Sequence, residues 1–155
     1  MKQSILLILV VFNTLSLAQT SASIDCINKV RSDVGYDDVK AAHACSGGAT
    51  VSCINKVRSD VNYDDAAAAR ACGLATVSCI DKVRSDVNYD DAAAARACSA
   101  GATVACINKV RSDVGYDDAA AARACGSATI ACINKVRSDA NYNNAVAARA
   151  CNGRP

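Results

Sequence analysis

The apolar residues of the chain follow a pattern that recurs five times and predicts two helices in each copy. In the second copy, Cys53, Ile54, Val57 and Val61 stand at relative positions 0, 1, 4 and 8. At about 100° per residue these positions share one side of a helix, and the residues between them are mostly polar. The segment that follows, residues 66–72, is mainly alanine, which favours closely packed helices. Each copy is therefore predicted to be an amphipathic helix followed by a shorter, alanine-rich helix.

Residue types with known end preferences mark the boundaries of these helices. In the second copy, Thr50 precedes the first helix and Asp64 precedes the second, and both are typical N-caps. Asn62 occupies a corner position that holds only Gly or Asn, the types that best tolerate the left-handed conformation ending a helix. The same types recur at Ser23, Thr76, Thr103 and Thr129 before the first helix, and at Gly35, Asn88, Gly115 and Asn141 at the corner. The order helix, tight corner, helix makes each copy an antiparallel hairpin.

One local resemblance supports the hairpin. Gly35-Tyr36, then Ala41 after four residues and Ala44-Cys45 after two more, resembles the Met-Gly-Phe corner and following helix of ubiquitin-associated domains. The residue before the glycine is Val34 instead of Met. The resemblance covers about ten residues of each copy and implies a helical hairpin.

The ten cysteines fall in five pairs, each 19 residues apart. The first cysteine of a pair lies near the start of the first helix and the second lies at the end of the second helix. An antiparallel hairpin brings these two positions together, which favours one disulfide within each copy over bridges between neighbouring copies. The predicted disulfides are Cys26–Cys45, Cys53–Cys72, Cys79–Cys98, Cys106–Cys125 and Cys132–Cys151.

The repeat period of 26 or 27 residues is typical of proteins built by stacking one small unit. A single two-helix hairpin cannot bury both faces, whereas stacked hairpins can. The predicted fold class is all-α: disulfide-stapled tandem helical-hairpin repeats forming a short α-solenoid. The predicted segments are a signal peptide at 1–18 and repeats at 19–48, 49–74, 75–101, 102–127 and 128–155.

The N-terminus has the pattern of a secretory signal peptide. Lys2 precedes an apolar run from Ile5 to Val11, and Ser16-Leu17-Ala18 supplies the small residues that a signal peptidase recognises. A membrane anchor is the alternative, but a spanning helix needs about 20 apolar residues. We therefore expect a secreted protein, extracellular or periplasmic if bacterial, with no membrane attachment after cleavage. An even number of cysteines in an exported chain is typical of disulfides.

Charge is nearly balanced, with 17 Lys and Arg against 15 acidic residues. This balance gives no reason to expect nucleic acid or an anionic membrane as a partner. One Lys/Arg pair recurs in every copy, and we expect these cations to pair with the equally frequent aspartates. As an alternative, stacking would align them into a basic ridge for a partner, made of Lys29, Arg31, Lys56, Arg58, Lys82, Arg84, Lys109, Arg111, Lys135 and Arg137.

No catalytic constellation or cofactor motif is present in the sequence. The chain has one histidine, His43, and no Cys-x-x-Cys pair, so zinc sites and thiol catalysis are not expected. Two corners match the opening of a calcium-binding loop, with candidate ligands Asp60, Asn62, Asp64, Asp86, Asn88 and Asp90. The match fails further on, where Asp65 and Ala71 replace the glycine and the bidentate glutamate of such a loop.

These observations predict a secreted, non-enzymatic repeat protein that acts as a structural or protein-interaction scaffold. The alternative is a binding module for an ion or surface: calcium at the corners, or ice on the regular threonines. The end copies depart from the others, for example at Val39 and His43 in the first copy and at Asn144 and Val146 in the last. Such departures suit solvent-facing caps, and they equally suit surfaces that dock end to end to form a homo-oligomer or filament.

Overall fold

The computed structural model describes residues 22–152, apart from the side chains of residues 113, 114, 139 and 140. The predicted signal peptide, residues 1–18, lies outside this range. Every regular element within it is an α-helix, and helices of 11 and 8 residues alternate. They are α1 Ile24–Val34, α2 Asp38–Cys45, α3 Val51–Val61, α4 Asp65–Cys72, α5 Val77–Val87, α6 Asp91–Cys98, α7 Val104–Val114, α8 Asp118–Cys125, α9 Ile130–Ala140 and α10 Asn144–Cys151.

The predicted caps and corners are confirmed. The Thr50 hydroxyl accepts a hydrogen bond from the Cys53 backbone N–H at 3.3 Å, and the Asp64 carboxylate accepts one from the Ala67 N–H at 2.6 Å. Between the two helices, Asn62 adopts the left-handed conformation, with φ 52° and ψ 34°. The same geometry recurs at the other corners, so each hairpin is set by its local sequence.

All five predicted disulfides are confirmed, and each joins the two helices of one hairpin. The Cα atoms of Cys53 and Cys72 are 6.0 Å apart at the open end of the second hairpin. Closing a loop of this size restricts the unfolded chain and contributes about 3 kcal/mol per bridge on the chain-entropy model. Each hairpin is therefore closed by its corner at one end and by a covalent bond at the other.

The hairpins stack in sequence order to form the predicted α-solenoid. The second helix of each hairpin packs against both helices of the hairpin before it, as α4 does against α1 and α2. Helices α6, α8 and α10 repeat this arrangement. The alanines of these helices allow close approach, and the isoleucines Ile54, Ile80, Ile107 and Ile133 are fully buried between the hairpins.

The segments that join hairpins alternate between two lengths without disturbing the stack. The shorter segments begin with Gly73 and Gly126, whose φ angles are positive. A side chain at Gly73 would come within 2.9 Å of the Ser99 carbonyl oxygen in the next joint, so glycine is needed there for close approach. In the longer segments the extra residue is taken up by a turn at Gly48 and Gly101, also with positive φ.

Candidate functional site

A buried aspartate lies at each of the first three contacts between hairpins. These aspartates are Asp65, Asp91 and Asp118, and they are 0%, 2% and 0% exposed, respectively. Each of them lies in the first turn of a second helix, where an acid suits the helix dipole. Because a buried charge is costly unless it is paired, the surroundings of these carboxylates determine how the hairpins fit together.

At the first contact, cations from both hairpins meet the buried carboxylate. Lys29 of the first hairpin lies 3.5 Å from Asp65 Oδ2, and Arg58 of the second lies 3.1 Å from Asp65 Oδ1. Asp33 of the first hairpin accepts a hydrogen bond from the Asp65 backbone N–H at 2.9 Å, and it also lies 3.2 Å from Arg58. We call this set of four residues, two from each hairpin, the junction network.

The junction network recurs at the next two contacts. Asp91 lies 3.8 Å from Lys56 and 3.1 Å from Arg84, and its backbone N–H donates to Asp60 at 2.7 Å. Asp118 likewise lies 3.2 Å from Lys82 and 3.1 Å from Arg111, and its N–H donates to Asp86 at 2.9 Å. Burial raises the pKa of Asp91, and the nearby Lys56 and Arg84 only partly offset this effect.

The fourth contact is different because the last hairpin carries Asn144 in place of the aspartate. The Asn144 side-chain amide donates a hydrogen bond to the Lys109 backbone carbonyl at 2.8 Å. A neutral amide therefore fits the same buried position, with a backbone acceptor in the preceding hairpin.

The junction networks account for many of the residues in the predicted basic ridge. Lys29, Lys56 and Lys82 each reach an aspartate in the following hairpin, and Arg58, Arg84 and Arg111 each reach one in the preceding hairpin. In the first hairpin, Arg31 lies 3.0 Å from Asp38. The predicted pairing of these cations with aspartate is confirmed for those residues. Binding of a partner along the row stays a prediction.

The tyrosines at three of the corners also connect neighbouring hairpins. Arg96 donates a hydrogen bond to the Tyr63 hydroxyl at 2.7 Å, and its guanidinium carbon lies 5.8 Å from the ring centre. The pairs Arg123–Tyr89 and Arg149–Tyr116 repeat the hydrogen bond at 3.3 and 3.1 Å. The arginines near the ends of α6, α8 and α10 thus each reach the tyrosine of the hairpin before.

The structure gives the calcium candidates other roles. Asp60 and Asp86 accept hydrogen bonds from the next hairpin as members of junction networks. Asp64 and Asp90 cap α4 and α6, while Asn62 and Asn88 form the left-handed corners. Among residues 22–152 no group of three or more His, Cys, Asp or Glu side chains is arranged to hold a metal ion. Asp60 is bonded to Asp91 and Arg84 of the next hairpin.

The first hairpin leaves uncovered the positions that later hairpins bury against the hairpin before them. Ile24 is 75% exposed and Val39 is 68% exposed, whereas Ala66, at the position of Val39, is fully buried. Ile27 and Ala42 are partly exposed although their counterparts are buried. Ile27, Val39 and Ala42, together with Asp38, His43 and Ser46, border an open surface depression of about 510 Å³. We call the surface formed by Ile24, Ile27, Asp38, Val39, Ala42 and His43 the N-face.

The last hairpin leaves uncovered the positions that earlier hairpins bury against the hairpin after them. Tyr142 is 48% exposed, and Ala150 is exposed although its counterparts in the second to fourth hairpins are buried. Val136 is partly exposed, while the equivalent Val57 is fully buried. Lys135 stands on the same surface at the position of Lys29, Lys56 and Lys82. We call the surface formed by Lys135, Val136, Tyr142 and Ala150 the C-face.

Sequence reasoning missed the buried aspartates and did not distinguish the two end faces. A signal for the aspartates was present, because the second acid of the corner, the lysine and the arginine each recur about once per copy. In a stacked array, equal numbers of regularly placed cations and anions can pair between neighbours.

No helix between residues 22 and 152 combines the length and the hydropathy that crossing a bilayer requires. No protein-family model matches the chain, and neither a curated protein nor a solved structure is significantly similar to it.

Proposed function

We propose that the chain is a secreted, non-enzymatic structural protein, a rigid scaffold whose copies associate end to end through the N-face and the C-face. The predicted signal peptide and the five disulfides support secretion. The absence of an enzymatic role rests on the residues present: every cysteine is in a disulfide, and the single histidine lies on the exposed N-face.

The observation that carries this proposal is the apolar character of both ends. A solenoid that must remain monomeric needs terminal repeats with a polar outer face. Here the N-face keeps the isoleucine Ile27 and the alanine Ala42, and it replaces a buried alanine with the larger Val39. The C-face keeps Val136 and Ala150. Each end thus presents the surface that its counterparts bury inside the chain.

Association between chains must be weaker than stacking within one chain. Hairpins of the same chain are tethered, whereas two separate chains lose translational and rotational freedom, which costs about 4–15 kcal/mol. Association is therefore expected to be weak, and a net free energy of about 4 to 7 kcal/mol corresponds to a Kd between about 1 mM and 10 µM. An assay of the proposal has to extend into that range.

Light scattering on the oxidised mature protein over this concentration range tests the proposal. The molar mass is expected to rise with concentration for the wild type. It should stay at the monomer value for Val39→Asp, which places a charge on the N-face. Leu74→Asp is the matched control, because Leu74 is an exposed apolar residue away from both ends and its replacement should leave association unchanged.

Two results would overturn the proposal. A monomeric wild type at every concentration would make both ends caps, and equal loss of association in the Val39→Asp and Leu74→Asp variants would indicate lateral contact. A parallel concentration series with calcium distinguishes end-to-end association from the competing proposal, calcium binding at the corners. Association or heat release that requires calcium would favour that alternative.

A further inference from the structure

The two end faces carry complementary halves of a junction network. Each complete network takes a lysine and an aspartate from the earlier hairpin and an arginine and an aspartate from the later one. The N-face side retains the second half as Arg31 and Asp38, which lie 3.0 Å apart. The C-face retains the lysine of the first half as Lys135. Asp38 has a side chain that is 72% exposed, whereas its counterpart Asp65 is fully buried.

We infer that one chain binds the next head to tail, with the N-face of one copy stacked on the C-face of another as a sixth hairpin would be. This inference rests on the proposed function and specifies its interface. In this arrangement Asp38 lies between its own Arg31 and Lys135 of the other copy. The contact between chains then has the charges of the first three internal contacts, whereas the fourth internal contact has the neutral Asn144.

Charge favours this arrangement over contact between like faces. Pairing two N-faces would bring two Asp38 carboxylates into a buried apolar contact without the lysine that accompanies every buried aspartate inside the chain. Pairing two C-faces would bring two Lys135 side chains together with no added carboxylate from Asp38. Only the head-to-tail contact brings the lysine of one face to the aspartate of the other, Lys135 to Asp38, as Lys29 meets Asp65 inside the chain.

The corner tyrosine supplies a second complementary pair. Inside the chain, an arginine donates to the tyrosine hydroxyl of the preceding hairpin, as Arg96 does to Tyr63. On the C-face Tyr142 is half exposed, and the N-face carries His43 at the arginine position. Head-to-tail stacking places His43 over Tyr142. Replacing His43 with arginine would restore the internal pair and should strengthen association severalfold.

Charge reversal at the two faces tests the direction of assembly. Asp38→Lys alone opposes two lysines at the contact, and Lys135→Asp alone opposes two aspartates, so each variant should associate at least about tenfold more weakly than the wild type. An equimolar mixture of the two restores opposite charges at every contact and should recover the wild-type mass. Asp25→Lys is the matched control, because position 25 and its counterparts are exposed in all five hairpins.

The outcomes separate this inference from the proposed function. If the wild type associates but the mixture of charge-reversed variants stays monomeric, the head-to-tail direction is wrong while end-to-end assembly stands. Loss of association in only one of the two single variants would indicate contact between like faces. A wild type that never associates would overturn both. Circular dichroism of each variant confirms that the helical fold is retained, and a gain in association for His43→Arg provides an independent positive result.

Discussion

Replacing the buried aspartate Asp91 with asparagine should change the stability of the protein very little at neutral pH. Its carboxylate lies 3.1 Å from Arg84 and 3.8 Å from Lys56. At an effective dielectric constant of about 20, these two attractions are worth about 5 and 4 kcal/mol before desolvation is counted. Desolvation costs several kcal/mol for each buried ion, so the two effects nearly cancel. We therefore expect Asp91→Asn to alter the free energy of unfolding by no more than about 1 kcal/mol.

The last hairpin already has an asparagine at the position of this aspartate. Asn144 occupies the equivalent position in the last hairpin and donates to the Lys109 carbonyl at 2.8 Å. An asparagine at position 91 can donate to the Lys56 carbonyl in the same way. Asp91→Ala lacks any polar replacement and leaves a void in the contact, so it should cost about 2–3 kcal/mol.

The free energy of unfolding of the wild type should change with pH relative to that of Asp91→Asn. Burial raises the pKa of Asp91 in the folded protein above its unfolded value. The folded state then holds the proton more tightly, so the stability linked to this group is fully present below the unfolded pKa and is lost as pH rises through the folded pKa. The wild type should therefore lose stability relative to Asp91→Asn as the pH rises from the acid range to neutral.

Urea unfolding with the disulfides intact, followed by circular dichroism across this pH range, measures the effect. Asp90→Asn is the control, since it makes the same charge change at the exposed N-cap of α6, and an asparagine caps α10 at the equivalent position. The contrary result is a fall of about 3 kcal/mol or more in the free energy of unfolding for Asp91→Asn at neutral pH, with a smaller fall in acid. That result would mean that the ion pairs outweigh desolvation.

Three further substitutions test the hairpin and its contacts. Replacing both Cys79 and Cys98 with alanine should lower the free energy of unfolding by about 3 kcal/mol, measured by urea titration, because it opens a loop closed across 19 residues; no loss would contradict the chain-entropy account. Asn88→Ala should lower the melting temperature, since an alanine in the left-handed conformation costs about 1–2 kcal/mol, whereas Asn88→Gly should not lower it. An equal fall in melting temperature for both variants would show that the asparagine side chain is what matters. The hydrogen bond to Asp81 raises the pKa of Lys56, so its small stabilisation is present below the ordinary lysine pKa and is lost as pH rises through the higher folded value. Asp81→Asn, which restores the residue of the other four copies, should abolish that loss in alkaline melting curves, and an unchanged alkaline slope would contradict it.

The hairpin could be predicted from sequence because its determinants are local. The cap at Thr50, the left-handed corner at Asn62 and the cap at Asp64 act within a few residues, and five near-identical copies repeat each signal. The spacing of Cys53 and Cys72 then identified the open end of the hairpin. Solenoid stacking followed from the exposed apolar faces that a lone hairpin would have.

The contacts between hairpins could not be predicted in the same way because they depend on the register of stacking. The Asp65 backbone N–H binds the carboxylate of Asp33, which lies 32 residues earlier, and Arg58 reaches the same carboxylate. Sequence alone gave no reason to prefer this partner over an acid in the same helix. The nature of the ends could not be predicted because it depends on exposure. Val39 is a conservative change from alanine in sequence, and only its 68% exposure shows that it lies on the surface and not in the core.

Electron microscopy of the oxidised protein, at a concentration where its scattering mass has risen, tests end-to-end assembly most directly. A contact between two different faces does not close on itself unless its rotation happens to form a ring. We expect unbranched rods of a single width that lengthen with concentration, and we expect none for Val39→Asp. Compact dimers that do not lengthen, or clusters without a common width, would contradict it.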